Sequence, residues 1–394
     1  MRLEGNVSAT ARDDVLVVGG GAIGMAIAES LACEGLRVRV LEAEGVASGA
    51  SGAGAGMLAP ISEASQDGPL LRLGLESLTR FGPFCSRLAS ETGIDPEFEE
   101  SGLLRLARSE SERAALEAMP GRLIGDGSTR EWAVNPILEW VGAGTLRSDE
   151  PCIGEEVLGA LHSPLECHLR PPVLVRALEA SARARGVKIE TGVRATLLRR
   201  ESGRVVGVES SAGRRDAGRV VVAAGAWSPG LLEASSISSR SGGNLAIEPV
   251  RGQMLFLAPP LPPARSIIWS DGVYFVPKRD GSWVVGATEE RVGFDCRVTA
   301  QGIGWLLERA RSVFPVLAEA SFVRAWAGLR PVSRDGIPWI GPVPGWENLC
   351  LAAGHGRNGV LLAPITAELI RDDLLGKVGS LLAEAVAPAR AFDA

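Results

Sequence analysis

The chain has 394 residues, 46% of them hydrophobic, and a formal net charge of −6; that profile excludes a disordered or fibrous protein and provides chain for two or three domains. Lysine is confined to Lys188, Lys278 and Lys377, and the arginines are dispersed without a basic cluster, which argues against nucleic acid as a partner; no apolar run reaches the roughly 20 residues of a membrane span. The six cysteines form no CxxC pair and His162, His168 and His355 lack ligand spacing, so no metal site or disulfide framework is expected, and a reducing cytoplasm is the expected location.

The opening MRLEGNVSATAR reads as a frayed leader, without the positive flank that a secretory signal would place before the first apolar stretch. Next, DDVLVVGGGAIGMAIAESLACEGLRVRVLEAE reads as strand, tight turn, helix and strand. Val15 to Val18 are continuously apolar, as a strand buried on both faces requires. The turn carries Gly19-x-Gly21-x-x-Gly24, and Glu42 ends the second strand 18 residues beyond Gly24. Glycines at those positions allow the turn, the close approach of a pyrophosphate and tight helix–strand packing. The helix N-terminus faces phosphate, and the acid can hold ribose hydroxyls. This fingerprint does not separate FAD from NAD. GVASGASGAGAGMLAP follows, rich in small residues, where backbone could approach a ligand closely.

From Gln66 to about Met119 the pattern is amphipathic helix, short strand, helix. RPPVLVRALEASARARG is a helix that opens on proline and stops at Gly186. A strand and a β-meander follow, with turns at ESG and SAGR, closing on the apolar strand RVVVAAGAW. SSISSRSGGNLA reads as a linker or surface loop. Strands are predicted at QMLFLA, VYFVPK and SWVVGAT, a helix over Gly302 to Ser312, and strands at ASFVRAWAGL and NLCLAAG. A long helix closes the chain after HGRNGVLLAP. The βαβ start and the late return to a strand–helix unit predict one domain of separated segments with a second inserted between them.

Two residues stand out chemically. Arg330, in AWAGLRPVS, has apolar or small neighbours, and a guanidinium in such a setting needs an anion. A substrate carboxylate would serve, through a bidentate pair, and so would Asp335 or another acid of the protein. Tyr274, in VYFVPKRDG, is the only tyrosine of the chain. Its phenol could donate to a ligand or simply pack with its hydroxyl satisfied. Ser228 in AAGAWSPG lacks a nucleophile-elbow pattern.

VVGGGAIGMAIAESLA, GAGMLAP, VVVAAGAW, VRGQM, YFVPK, VVGATEERVGFD, WAGLRPVSRDGIPWIGP and AAGHGRNGVLLAP occur in this order, and together resemble the glycine oxidases of thiamine biosynthesis, within the D-amino-acid oxidase and sarcosine oxidase superfamily. The resemblance runs from about Asp14 to Leu375. It implies an α/β (α+β) fold: an FAD-binding Rossmann-like domain over 13–80, 150–235 and 326–394, and an inserted antiparallel substrate domain over 81–149 and 236–325. It implies that Gly19, Gly21, Ala22, Ile23, Gly24, Glu42, Ala50, Ser51, Ala55, Gly56 and Met57 contact FAD, that Val193 meets the adenine through its backbone, and that His355, Gly356, Arg357, Asn358, Gly359, Val360 and Leu361 lie along the flavin ring. A helix N-terminus after that run would favour the negative charge of the reduced flavin. Arg330 would bind the substrate carboxylate with Tyr274 beside it and Arg357 as a second substrate-side arginine, although Arg357 could equally contact only protein backbone. No Cys or His stands beside WAGLRP, so the FAD is expected to be noncovalent. Gly272 and Glu289 replace residues that some members carry near the site, which leaves the preferred amine open. The implied reaction is oxidative deamination of glycine or another small amino acid, sarcosine or a D-amino acid, by hydride transfer to flavin. Dioxygen would be the acceptor, giving peroxide, an oxo acid and ammonia. The alternatives are a dehydrogenase that passes electrons to a quinone or protein and a flavoprotein subunit without turnover. Beyond a small amino acid and dioxygen no partner is expected, and a homo-oligomer is admitted.

Overall fold

The computed structural model describes residues 12–64, 66–124, 137–237, 246–260, 264–377 and 380–392. The expected leader before Arg12 and most of the SSISSRSGGNLA linker lie outside them.

Two eight-stranded sheets organise the molecule. The first runs in the order Trp339–Pro342, Leu349–Ala353, Gly213–Val222, Asp13–Val18, Val38–Glu42 and Lys188–Thr191. From Leu349–Ala353 onward every neighbour is parallel. Parallel strands are covered on both faces, and Leu16, Val17, Val220, Val221 and Leu351 are accordingly fully buried. One face packs against the helices Ala22–Cys33, Pro69–Thr92, Pro171–Ala184 and Ala363–Leu374. The other packs under the meander strands Ala195–Glu201 and Arg204–Ser210 and the short helix Ser228–Ala234. Gly213–Val222 is both the last meander strand and a central strand, so the hairpin grows directly out of the sheet.

The second sheet runs Ser321–Ser333, Ile247–Ala258, Trp283–Gly286, Val273–Pro277, Ile267–Ser270, Leu103–Ala107, Gly159–Ser163 and Glu139–Gly142. It is antiparallel except between Ile267–Ser270 and Leu103–Ala107. Strand alternation divides its residues. Phe275 and Trp283 pack with Phe314 edge to face, below the Ala300–Val313 helix. Tyr274, Val276, Met254 and Ala55 form a cluster on the opposite face. Gly159–Ser163 joins this sheet from inside the 150–235 segment, and Ser321–Ser333 crosses residue 326. The short 2-stranded sheet of Met57–Leu58 and Cys167–His168 holds the small-residue loop between the two large ones.

Candidate active site

The first two turns of the fold build one end of a large cavity. Gly19 adopts φ +113°, and a Cβ there would lie 2.3 Å from the Ala223 carbonyl. A Cβ on Gly24 would lie 1.9 Å from the Gly19 carbonyl, so the helix seats against the strand only because Gly24 has none. The helix Ala22–Cys33 opens at Gly21 without a capping bond from Gly21 itself. Instead the Ala22 N–H donates to Ser51 Oγ at 2.8 Å, bringing the small-residue loop onto the helix N-terminus. Glu42 accepts from Gly20 N at 2.7 Å and from Glu44 N at 2.9 Å, which fixes its carboxylate toward the turn with lone pairs to spare.

From there a cavity of about 790 Å³ runs to the second sheet. Its walls pass from Gly19, Gly21, Ile23 and Glu42, by Ala50, Ser51, Ala55, Gly56 and Met57, to Tyr274, Arg330, His355, Gly356, Arg357, Gly359 and Val360. Five of the expected residues are not wall residues. Ala22 and Gly24 stand behind the turn. Val193 spends its N–H on the Glu42 carbonyl at 2.9 Å, and the following Arg194, Ala195 and Thr196 form the wall instead. Leu361 lies in the core at 2% exposure. Asn358 is set back in the 3-10 turn Gly356–Asn358. The helix after this turn begins at Ala363 and runs 12 residues to Leu374.

The far end carries the charges. Arg330 and Tyr274 sit on the cavity face of the second sheet, and glycines clear the space they occupy. A Cβ on Gly252 would lie 2.4–2.6 Å from the Arg330 guanidinium, and one on Gly286 2.8 Å from the Tyr274 hydroxyl oxygen. Arg330 Nη1 donates to the Thr288 carbonyl at 3.1 Å. The expected alternative partner, Asp335, pairs with Arg390 at 3.2 Å. Thr288 is itself held: its hydroxyl donates to Glu290 at 2.6 Å, and Glu290 also accepts from Arg251 at 2.6 Å and Gln253 at 2.7 Å. Burial works against ionisation of Glu290, but these three donors hold its carboxyl below the ordinary range. The VRGQM and GATEE segments are thus the frame behind Arg330.

Three wall or near-wall features were not singled out in the sequence. Glu63 ends the short helix Pro60–Glu63 and lines the cavity beside Arg357, whose Nε is 3.8 Å away. Burial pushes the Glu63 carboxyl above the ordinary carboxylate range, against the pull of Arg357 and Arg330. Trp269 stands edge to face with Tyr274, ring centres 6.5 Å apart. The guanidiniums of Arg105 and Arg357 lie 5.0 and 5.8 Å from the Trp269 ring centre. Lys278 is buried behind the loop, its Nζ donating to Ala55 O at 2.8 Å and Leu169 O at 2.9 Å. Burial lowers the Lys278 pKa to about 7. Only Glu63 had a local signal, an acid three residues after the GAGMLAP loop; the other two show their meaning through distant contacts.

The residues fit a flavin dinucleotide. The volume is that of a cofactor or large-ligand site, roughly 300–1,000 Å³, the glycine turn leaves the helix N-terminus open to the cavity, and Gly56, at φ +86°, would drive a Cβ to within 1.9 Å of the Leu169 carbonyl. Among the described residues no cluster of His, Cys, Asp and Glu could hold a metal, and no helix is long and apolar enough to cross a membrane.

Comparison with known proteins agrees with this reading. Residues 14–372 match the DAO family of FAD dependent oxidoreductases. The chain is 35% identical over 365 residues to the glycine oxidase of Geobacillus kaustophilus, covering 92% of this chain and 93% of that protein. The crystal structure of a glycine oxidase from the same organism superposes with a TM-score of 0.86 at 34% identity, covering 94% and 96% of the two chains. The bifunctional protein ThiO/ThiG of Synechocystis sp. is 36% identical over 383 residues; the match covers 96% of this chain but 54% of that longer protein.

Proposed function

The chain belongs to the FAD-dependent oxidoreductase family, and from that premise we propose that it oxidises glycine or a similarly small amino acid at the Cα–N bond, with Arg330 and Tyr274 holding the substrate carboxylate. It is an FAD-dependent amino-acid oxidase. The observation that carries the substrate reading is the Arg330 guanidinium. It lies in the cavity framed by glycines, it has no ion pair among the described residues, and its bond to Thr288 O leaves other donors for an anion.

Bound FAD supplies the two-electron acceptor and returns the electrons to dioxygen as hydrogen peroxide. The protein supplies position and charge. We assign Gly19, Gly21, Ile23, Ser51 and Glu42 to the dinucleotide's adenosine and pyrophosphate portion. His355 to Val360 we assign to the wall along its ring. His355 is neutral there, because burial lowers its pKa to about 3, and its Nε2 pairs with the Thr366 hydroxyl at 3.1 Å. Cys296 also lines the cavity, but burial pushes its thiol up. No Cys or His stands beside WAGLRP to tether the flavin, so we assign the cofactor as noncovalently held. We place the FAD-binding domain on the first sheet and the substrate domain on the second.

Glycine has five heavy atoms, so even at a ceiling of about 1.5 kcal/mol per atom its binding is bounded near ~7.5 kcal/mol. The carboxylate contacts must therefore dominate recognition. The test is a peroxide assay of the purified yellow protein with glycine, sarcosine and panels of D- and L-amino acids. Peroxide with glycine or another small amine is expected. Failure of every amino acid to bleach the flavin without oxygen overturns the reading, and bleaching without peroxide replaces oxygen by another acceptor.

A further inference from the structure

Resting on the amino-acid oxidase reading, we propose that Glu63 is a catalytic residue that receives the proton of the substrate ammonium, so that the zwitterion binds and the neutral amine is the species oxidised. The step balances without a further reactant: R–NH3⁺ and the Glu63 carboxylate become R–NH2 and the Glu63 carboxylic acid, one N–H bond breaking and one O–H bond forming.

The geometry supports it from three sides. Glu63 lines the same cavity end as Arg330, Tyr274 and Arg357. Its side chain is 10% exposed, and its Oε2 has no hydrogen-bond partner among the described residues, although Arg357 Nε stands 3.8 Å away. A buried carboxylate oxygen left without a donor is costly, and an ammonium would satisfy it. The charges also match: two arginines face one acid, and an amino-acid zwitterion brings one carboxylate for the arginines and one ammonium for the acid. Glu63 is thus a group of the opposite sign to Arg330 in the same cavity, the arrangement that distinguishes an α-amino acid from a plain carboxylate.

The groups around Glu63 set its proton affinity. Arg357 and Arg330 favour the carboxylate, and the Asn358 amide donates toward it. Burial opposes it, and Glu63 in turn helps raise the neighbouring Glu166, which burial pushes up to about 8 and Ser62 holds. Arg105 donates to the Ser62 carbonyl at 2.9 Å, and Tyr274 and His355 complete the wall. A carboxyl poised above its ordinary range is a better proton acceptor than a surface acid.

The test compares wild type with Glu63→Gln and Glu63→Asp, each scored first for bound flavin. Wild-type kcat/KM for glycine should hold a plateau below the pKa of the free amine. In Glu63→Gln the plateau should vanish, kcat/KM rising about tenfold per pH unit until the amine is neutral in solution. Glu63→Asp should restore part of the plateau. A second readout needs no turnover: acetate, followed by the flavin spectrum, lacks the ammonium, so in wild type it should bind tighter as pH falls and Glu63 takes up a proton, and in Glu63→Gln this pH dependence should disappear. Parallel kcat/KM profiles, or unchanged acetate titrations, overturn the assignment while leaving the oxidase reading intact. Absence of any amino-acid turnover in wild type strikes the oxidase reading instead.

Discussion

Arg330 and Tyr274 can share a cavity because their neighbours across the strands are glycines. Gly252 lies two residues along from Val250, the register partner of Arg330, and Gly286 is the register partner of Tyr274. In each case a single Cβ would enter the space of the functional group. If Arg330 is one side of a buried charged pair with the substrate, its loss costs about 2–5 kcal/mol, while a neutral hydrogen bond from Tyr274 nets about 0.5–1.5. Arg330→Ala should then lower kcat/KM for glycine by about 30-fold or more, and Tyr274→Phe by roughly 2- to 15-fold, with flavin retained in both. Gly252→Ala tests the same idea without touching the arginine. The guanidinium is the end of a flexible side chain and can move aside, so the variant should fold and keep its flavin. It should still lose about tenfold or more in kcat/KM, because the fork no longer points where the carboxylate binds. Normal kinetics in Arg330→Ala would move the carboxylate site to Arg357.

Lys278 joins three elements: it follows the Val273–Pro277 strand, and its two bonds reach the Ala55 loop and the Leu169 carbonyl ahead of the Pro171–Ala184 helix. A neutral amine keeps two N–H donors, so both bonds survive loss of the charge. Removing them strands two buried carbonyls, at about 1–3 kcal/mol each. Lys278→Met should therefore lower stability by roughly that amount and loosen flavin binding through Ala55, Gly56 and Met57. The sign of the pH effect follows from burial: the folded pKa is about 7 against an ordinary 10.5, so between these values the unfolded chain binds more protons and stability rises with pH. Urea melts should show that rise in wild type and its loss in Lys278→Met; an unchanged slope would assign it to other groups. Elements of this kind mark where sequence reading stops. The strand–turn–helix start, the Pro171–Ala184 helix and the meander were legible because their apolar period or their proline and glycine signals are local. Gly159–Ser163 and Glu139–Gly142 were not read as strands, since each is short and gains its place only by pairing with Leu103–Ala107 or its neighbour. Trp339–Pro342 hid between prolines. Arg330 and Tyr274 could be picked out by their neighbours and by rarity, but Lys278 bonds a carbonyl 223 residues away, and Trp269 takes its meaning from arginines at 105 and 357.

At the scale of the molecule, the cavity is walled by both sheets. Gly19 and Glu42 come from the first, Met254, Tyr274 and Arg330 from the second, and the loop around Ala55 and Met57 lies between them. Trp326 reinforces the junction by donating to Ala53 O at 3.0 Å. A dinucleotide that fills this cavity binds the folded arrangement and not the unfolded chain, so it adds stability by mass action. With free FAD at 100 times its Kd the gain is about 2.7 kcal/mol, which for a chain of this size amounts to a thermal shift of roughly 3 °C. Acid precipitation should first release the yellow colour into the supernatant, as a noncovalent cofactor requires. The apoprotein should then melt lower than the reconstituted protein, and the difference should grow with added FAD. Glu42→Ala should need more FAD for the same shift. Its carboxylate is already anchored by Gly20 N and Glu44 N, so on the proposed assignment each ribose hydroxyl would meet a preset charged acceptor, at about 1.5–3 kcal/mol per bond. Colour that stays with the pellet would show a covalent bond. Coincident melts with and without FAD would mean that the cofactor leaves the two sheets uncoupled, and an unchanged FAD requirement in Glu42→Ala would place the ribose contact on the Arg194 to Thr196 wall.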